Sequence, residues 1–285
     1  MSTAIDLLDT LFLLGPPYRR LTGIDVDTPP QIGEGGWVMA WHLGSPRWHR
    51  GSAAAANRPA GVPLAIILPD RDDRLSVLRI LRAIEQSRPQ AVVPYHEAPT
   101  AREIASVIRR EPSCLASSVA DYLVWRGFSL DPVTRSIVRR TVQLSSQVRT
   151  IGTLAKNLYM SRRALGRKLL SSELPVASHW LHISRILRAT IALQNSESSL
   201  FSVAVSLGYS DGFSLSNQMY RLCGIRPMEA REKLGWEWVF ETWLVKEAAT
   251  GGVASTIATG RPSIATLPGK TGAGASTTPS TATAK

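Results

Sequence analysis

The side chains of this chain that could do acid–base or metal chemistry are few and poorly spaced for it. His42, His49, His96 and Glu97 are the candidates in the N-terminal half, and His179 and His182 lie further on. Their spacing matches no metal-ligand or nucleophile motif, and no glycine-rich phosphate loop is present. Isolated histidines of this kind read as structural or solvated. Asp70, Asp72 and Asp73 follow an apolar run of strand length, but the next such run, AVVPYHE, offers no Asp for phosphoryl transfer. An enzyme or a phosphorelay-type receiver in the N-terminal half, fused to a targeting module, is thus the alternative reading, with no residue pattern behind it. Cys114 and Cys223 are too few and too far apart for a disulfide framework or a zinc site. They read as small buried apolar residues in a reducing compartment. No cofactor is expected.

A different chemistry, hydrogen bonding to a polyanion, is suggested by a pattern that occurs twice, as IGTLAKNLYMSRRALGRKL from Ile151 and FSVAVSLGYSDGFSLSNQM from Phe201. In each copy an apolar residue and an Ala (Leu154 and Ala155, Val203 and Ala204) let a first helix approach a second closely. A Leu three positions on (Leu158, Leu207) closes the small core. The second helix opens on Ser161 in one copy and on Ser210 or Asp211 in the other. Leu165 and Leu169, or Leu215 and Met219, are spaced four apart and form its buried face, which leaves polar side chains outward.

The charge agrees with that reading. The chain carries +11, and from Asp131 to Arg231 there are 14 Lys plus Arg against 5 Asp plus Glu, a net +9, which leaves only +2 elsewhere. The basic excess sits where a polyanion would need it. With 285 residues, 44% of them hydrophobic, the chain is long and apolar enough for real cores. The N-terminus, MSTAIDLLDTLFLLGPPYRR, lacks a basic start and has Asp6 and Asp9 in its apolar run, so it reads as a short amphipathic helix and not as a signal peptide. No stretch is long and apolar enough to cross a membrane, which places the protein in the cytoplasm.

Residues 1–61 are rich in Gly and Pro and read as short strands with turns. Trp37, Trp41 and Trp48 within them fit a core better than a ligand pocket. Residues 62–130 read as an α/β module: VPLAIILP as a strand, DDRLSVLRILRAIEQS as a helix, AVVPYHE as a strand, and TAREIASVIRR as a helix opening on a Thr100–Glu103 capping box. SCLASSVADYLVWRGF is a further helix ending at Gly127. Asp131 and Pro132 then cap and start the helix that leads into the doubled motif. Between the copies, ASHWLHISRILRATIALQ carries a wide apolar face and reads as a buried strut. Residues 131–247 are the DNA-binding domain, and 248–285, mostly Ala, Thr, Ser, Gly and Pro, a disordered tail.

From Asp131 to Arg231 these residues resemble the AraC-type (AraC/XylS) family of bacterial transcription regulators. The most specific stretch is GYSDGFSLSNQMYRLCGIRPMEAR, where Gly208, Tyr209, Asp211, Leu215, Ser216, Gly224, Pro227 and Arg231 match the family signature; Leu181, Arg185, Ala189 and Leu193 match on the strut. Departures are Leu174 and Pro175 where the family has a Gly after the first recognition helix, and Met219 and Cys223 where aromatics are common.

The resemblance implies a C-terminal double helix-turn-helix domain joined by a long helix; with the small α/β, βαβ-like N-terminal domain read from the strand–helix–strand pattern before it, the expected fold is mainly α. It implies a sequence-specific, double-stranded-DNA-binding transcription regulator that inserts two recognition helices into successive major-groove segments. On the family's pattern Arg163, Gly166 and Arg167 of the first recognition helix, and Gly212, Phe213 and Asn217 of the second, face base edges. Arg would pair with guanine, Asn with adenine and Phe with a thymine methyl. Ser161, Arg162, Lys168, Ser214, Ser216, Gln218 and Arg221 are placed at phosphates. Expected partners are double-stranded DNA and, for an activator, RNA polymerase. A homodimer through the N-terminal half and a small-molecule effector are further options, and the location implied is cytoplasmic and nucleoid-associated.

Overall fold

Runs of consecutive apolar residues too short for a helix become strands buried on both faces. In the computed structural model, which describes residues 10–26, 32, 35–69, 77–94 and 100–253, β1 (Leu11–Leu14), β3 (Val38–His42) and β4 (Leu64–Ile67) are buried at every position. β2 (Leu21–Ile24) and β5 (Ala91–Val93) have exposed positions, as edge strands should. The sheet order is β2-β1-β3-β4-β5. β1 runs antiparallel to β2 and β3, while β3, β4 and β5 are mutually parallel.

The expected βαβ unit is therefore present as β4, α2 (Val77–Ser87) and β5. A second one, β3, α1 (Gly51–Ala56) and β4, precedes it. The short strands expected before residue 61 are also there, and the sheet runs across that position without a break. Trp41 is buried and donates to the Trp48 carbonyl at 3.0 Å, and Trp37 and Trp48 lie against the same core.

The amphipathic helix expected at the N-terminus is not formed at 11–14, where LFLL is an interior strand. Four apolar residues in a row have no period that separates helix from strand, and Pro16 and Pro17 bar helical continuation. Residues 1–9 lie outside the described residues, as do Asp70, Asp72, Asp73, His96, Glu97 and the tail from 254 onward.

Side chains alternate across the sheet. Phe12, Leu14, Val38, Ala40, Ala65 and Ile67 meet Ile104 and Ile108 of α3 (Ala101–Arg109), which opens on the expected capping box. Leu11, Leu13, Met39, Trp41, Leu64 and Ile66 meet Ala55 of α1 and Ala83 of α2 on the other face.

The remaining helices share one apolar core. They are α4 (Leu115–Arg126), α5 (Pro132–Leu144), α6 (Ile151–Asn157), α7 (Arg162–Ser171), α8 (Ala177–Asn195), α9 (Leu200–Ser206), α10 (Gly212–Cys223), α11 (Pro227–Glu232) and α12 (Glu237–Ala249). α4 ends at left-handed Gly127 and α5 starts from Asp131, as the sequence indicates. At 1.5 Å per residue, the 19 residues of α8 span about 28 Å. Trp180, Ile183, Ile186, Leu187, Ala189 and Ile191 of α8 are buried. Arg188 of α8 caps the end of α5 by donating to the Val142 carbonyl and Ser145 Oγ, both at 3.0 Å.

α12 is the element that the sequence reading left unnamed. Its start supplies Trp236, and its body supplies Phe240 and Trp243, to an aromatic cluster that includes Tyr122 and Trp180. Its three buried carboxylates are all paired, Glu247 with His179 and the Trp243 indole N–H. Glu241 accepts from Arg126 Nε at 3.1 Å and from the Tyr122 hydroxyl at 2.8 Å. Glu237 accepts from Arg88 Nη1 at 2.8 Å. Arg88 belongs to the segment between α2 and β5, so this pair joins the sheet to the helices. Burial, then the Glu241 charge, push the Tyr122 hydroxyl well above its ordinary pKa, which keeps it a donor. The chain remains ordered beyond the composition break at 247: α12 continues to Ala249, and Val253 is buried in the helical core.

Candidate nucleic-acid interface

Each copy of the doubled pattern folds as a short helix, a tight turn and a longer helix. In the first copy, α6 ends in a Schellman turn: Met160 N–H donates to the Ala155 carbonyl and Tyr159 N–H to the Lys156 carbonyl, with Tyr159 left-handed at φ 56. Ser161 then caps α7, accepting from the Ala164 N–H at 3.1 Å. In the second copy the same turn is made by Tyr209 N–H to Ala204 and Gly208 N–H to Val205, with Gly208 at φ 77. One residue more follows before the cap, which is Asp211 and not Ser210; it accepts from the Ser214 N–H at 2.7 Å. Ser210 instead donates to Asp211 Oδ2.

Leu165 and Leu169 are buried under α7, and Leu215 and Met219 under α10. That fixes what each second helix shows to solvent. On α7, Arg162, Arg163 and Arg167 are exposed, with Arg163 and Arg167 four residues apart on one face. Gly166 faces open space, since a Cβ there would meet nothing within 4 Å. Lys168, assigned to phosphate by resemblance, lies on another side and holds Asp131 Oδ2 at 2.9 Å. On α10, Phe213 is 74% exposed and Asn217 is exposed as well. Gly212 turns inward, since a Cβ there would stand 3.1 Å from Leu200 of α9. Ser214 is hydrogen-bonded to Ser210, and Ser216 lines a small apolar recess with Leu200 and Pro227. Gln218 is half-buried and Arg221 exposed.

Gly166 therefore has no packing role to defend. In a helix interior Ala is better than Gly by about 0.5–1 kcal/mol, so Gly166→Ala is expected to stabilise the protein by that amount, read as a higher urea midpoint at unchanged slope. If the helix backbone closes on DNA at Gly166, the same variant will bind a cognate site more weakly although it is more stable.

Both carboxylate caps make the fold sensitive to acid. Hydrogen bonds from Thr134 and from Lys168 hold the Asp131 carboxyl well below its ordinary range. The Ser214 amide and then Ser210 lower that of Asp211. Because the folded-state pKa is depressed, the stabilisation is complete above the unfolded value of 3.8 and disappears as pH falls through the folded one. Asp131→Asn keeps an N-cap acceptor but cannot ionise. Its stability difference from wild type is expected to be largest near neutral pH and to vanish in strong acid, as followed by helical circular dichroism. A constant difference across the titration would show that the ionised form of Asp131 adds nothing.

The cysteines divide. Cys223 is buried as expected, and burial raises its thiol pKa. Cys114 is not buried: it precedes α4 at the surface, where the Ser117 hydroxyl lowers its pKa. The sequence around it, EPSCLASS, ends one helix and begins another, and such a junction is solvent-accessible. Of the histidines, His42 is buried in β3, His49 is exposed, and His179 is bonded to Glu247. Burial and then Arg185 lower the pKa of His182. Among the described residues no three His, Cys, Asp or Glu side chains gather as a metal site would require, and no helix is long and apolar enough to cross a membrane.

Several groups that the sequence reading did not assign hold the two helix pairs in place. Arg231, noted only as a match to the family pattern, donates to the Ser196 and Ser198 carbonyls and so pins the segment between α8 and α9. Gln194 bonds the Ala230 and Lys233 carbonyls and the Gly235 N–H. Arg185 donates to the Leu207 carbonyl at 2.8 Å and lies 4.2 Å from the Tyr209 ring. Arg149 donates to the Gly208 carbonyl. No sequence motif marks Arg149, because its partner is 59 residues away.

Comparison with family models and with curated proteins finds no match. Among solved structures the chain is similar to the xylose-binding transcription activator XylR, with 12% identity and a TM-score of 0.35 over 66% of this chain. The matched part covers 58% of that structure's chain.

Proposed function

We propose that this protein is a sequence-specific regulator of transcription that binds double-stranded DNA through two helix-turn-helix units, α6–α7 and α9–α10, of AraC type. One observation carries the reading. Two helix pairs with matching turns sit on either side of a single buried strut, and each second helix keeps an apolar face inward and an open polar face outward. The same segment holds nearly all of the chain's excess positive charge. In this reading Arg163 and Arg167 pair with guanines, and Asn217 and Phe213 read adenine and a thymine methyl. Gly166 admits the DNA close to the helix. Arg162 and Arg221 neutralise phosphates, helped by Ser161 and Gln218.

A strut of about 28 Å suits two segments close to one DNA turn apart, ~34 Å. A single chain would then read an asymmetric site, and a strut that cannot adjust would favour DNA that bends. No reaction is assigned to the sheet half; effector binding or dimerisation is the role proposed for it.

The test is selection of genomic fragments by the full-length protein at near-physiological salt, followed by footprinting. The expected winner is an asymmetric site protected over two adjacent major-groove segments. Equal recovery of random and genomic fragments, with a salt slope that accounts for all of the affinity, would reduce the protein to a non-specific DNA binder.

A further inference from the structure

We infer that Arg149 is a positioning residue that locks the two helix pairs to each other, and so determines which separation between the two DNA segments the protein accepts. This rests on the proposed reading of α7 and α10 as recognition helices.

Arg149 lies between α5 and α6, two residues before the first pair begins. Its guanidinium crosses to the second pair and donates from Nη1 to the Gly208 carbonyl. Arg185 of the strut takes the neighbouring Leu207 carbonyl and stacks on the Tyr209 ring. Three consecutive residues of the α9–α10 turn are thus held by two arginines from different elements. The carbonyls involved close the C-terminal end of α9, where partners inside the helix run out and cations are favoured.

A comparison of the two turns supports a dedicated contact. Both need a left-handed residue at the same place. In the first turn that residue is Tyr159, 97% exposed, so a full side chain is tolerated. In the second it is Gly208, where a Cβ would overlap the Arg149 guanidinium. The glycine keeps the room that the arginine occupies. The link also bypasses α8: it ties the start of α6 straight to the turn that launches α10, so the pairs are joined at two points and resist rotation about the strut.

One added base pair shifts the second groove segment by about 3.4 Å and rotates it by about 34°. Locked helices cannot follow, whereas pairs joined by α8 alone can in part. The experiment compares full-length wild type, Arg149→Ala and Arg149→Lys on three duplexes: the selected site, that site with one base pair inserted between its segments, and the α7 segment alone. Wild type is expected to lose about 10- to 100-fold on insertion, the worth of one or two good base contacts. Arg149→Ala is expected to bind the selected site several-fold more weakly and to lose less than about 3-fold on insertion, with binding to the lone segment unchanged. Arg149→Lys, which keeps the charge but not the planar fork, should follow Arg149→Ala. An unchanged insertion penalty in Arg149→Ala overturns the inference. So does a salt slope lowered by about one with full rescue by Lys, since that marks a phosphate contact.

A measurement without DNA separates failure of the lock from failure of the functional reading. Spin labels at Leu170→Cys on α7 and Tyr220→Cys on α10, in a Cys114→Ser background that leaves only buried Cys223, report the distance between the helices directly. A narrow wild-type distribution that broadens in Arg149→Ala supports the lock even if no DNA sequence is selected. Equally narrow distributions in both proteins overturn it.

Discussion

Glu241→Ala is expected to destabilise the protein by about 3–5 kcal/mol, a large part of the 5–15 kcal/mol that holds an ordinary domain together. The Glu241 and Arg126 side chains are both fully buried, and the carboxylate also takes the Tyr122 hydroxyl. Removing it takes from a buried guanidinium and a buried phenol the carboxylate to which both donate, in an interior lined by Trp236, Phe240 and Trp180. The loss therefore comes mainly from a buried positive charge deprived of its carboxylate, not from the attraction that was broken. That distinction has its own check. The double variant Arg126→Met with Glu241→Leu removes both charges and retains volume, so it should recover most of the stability lost in Glu241→Ala. Urea midpoints of the three proteins, compared at unchanged slope, decide the matter. A double variant no more stable than Glu241→Ala would show that the pair itself, and not an orphaned charge, holds α4 to α12.

Arg167→Ala is expected to weaken binding to the cognate site by about 1–3 kcal/mol and to relax the preference at one base pair, with little change on random DNA. The side chain is exposed on α7, four residues from Arg163, with the open surface of Gly166 between them, and its removal disturbs no buried group. Arg162→Ala should weaken all duplexes alike and lower the salt slope by about one. Competition assays on the selected site, on its single-base variants and on random DNA separate the two effects. Equal losses on cognate and random DNA for Arg167→Ala would move it into the phosphate class.

How legible these features were in the sequence followed from how local their causes are. The caps at Thr100, Asp131 and Ser161, the end of α4 at Gly127, and the buried pairs Leu165 with Leu169 and Leu215 with Met219 are set by residues within one or two turns. Their chemistry is visible in a short window. The end of α7 has a local cause too: Leu174 N–H bonds the Leu169 carbonyl and Glu173 N–H the Leu170 carbonyl, with Glu173 left-handed at φ 58, so the same Schellman turn that ends α6 forms here without the glycine that is usual at that place. The strand at Leu11–Leu14 was not legible, because its pairing with β2 and β3 decides its conformation. Nor was α12, whose glutamates look like surface residues until Arg88 and Arg126 arrive from far along the chain. The outward face of α7 could be read from its buried face. The inward turn of Gly212 and the occupation of Lys168 by Asp131 depend on packing between helices and had no signature.

The Arg88–Glu237 and Arg126–Glu241 pairs bear on how portable the helical half is. Both acids stand on α12, and both cations stand before residue 131, which caps α5, the helix that leads into the doubled motif. A gene fusion that carried off residues 131–249 as a cassette would transplant two carboxylates into a core that no longer contains their counter-ions, and with them an exposed seam of tryptophan. Domain shuffling at that point is therefore penalised by the architecture itself. The helical half is tied to the preceding segments that neutralise it, and an exchange that keeps both pairs is expected to replace segments on the outer surface, not across that junction.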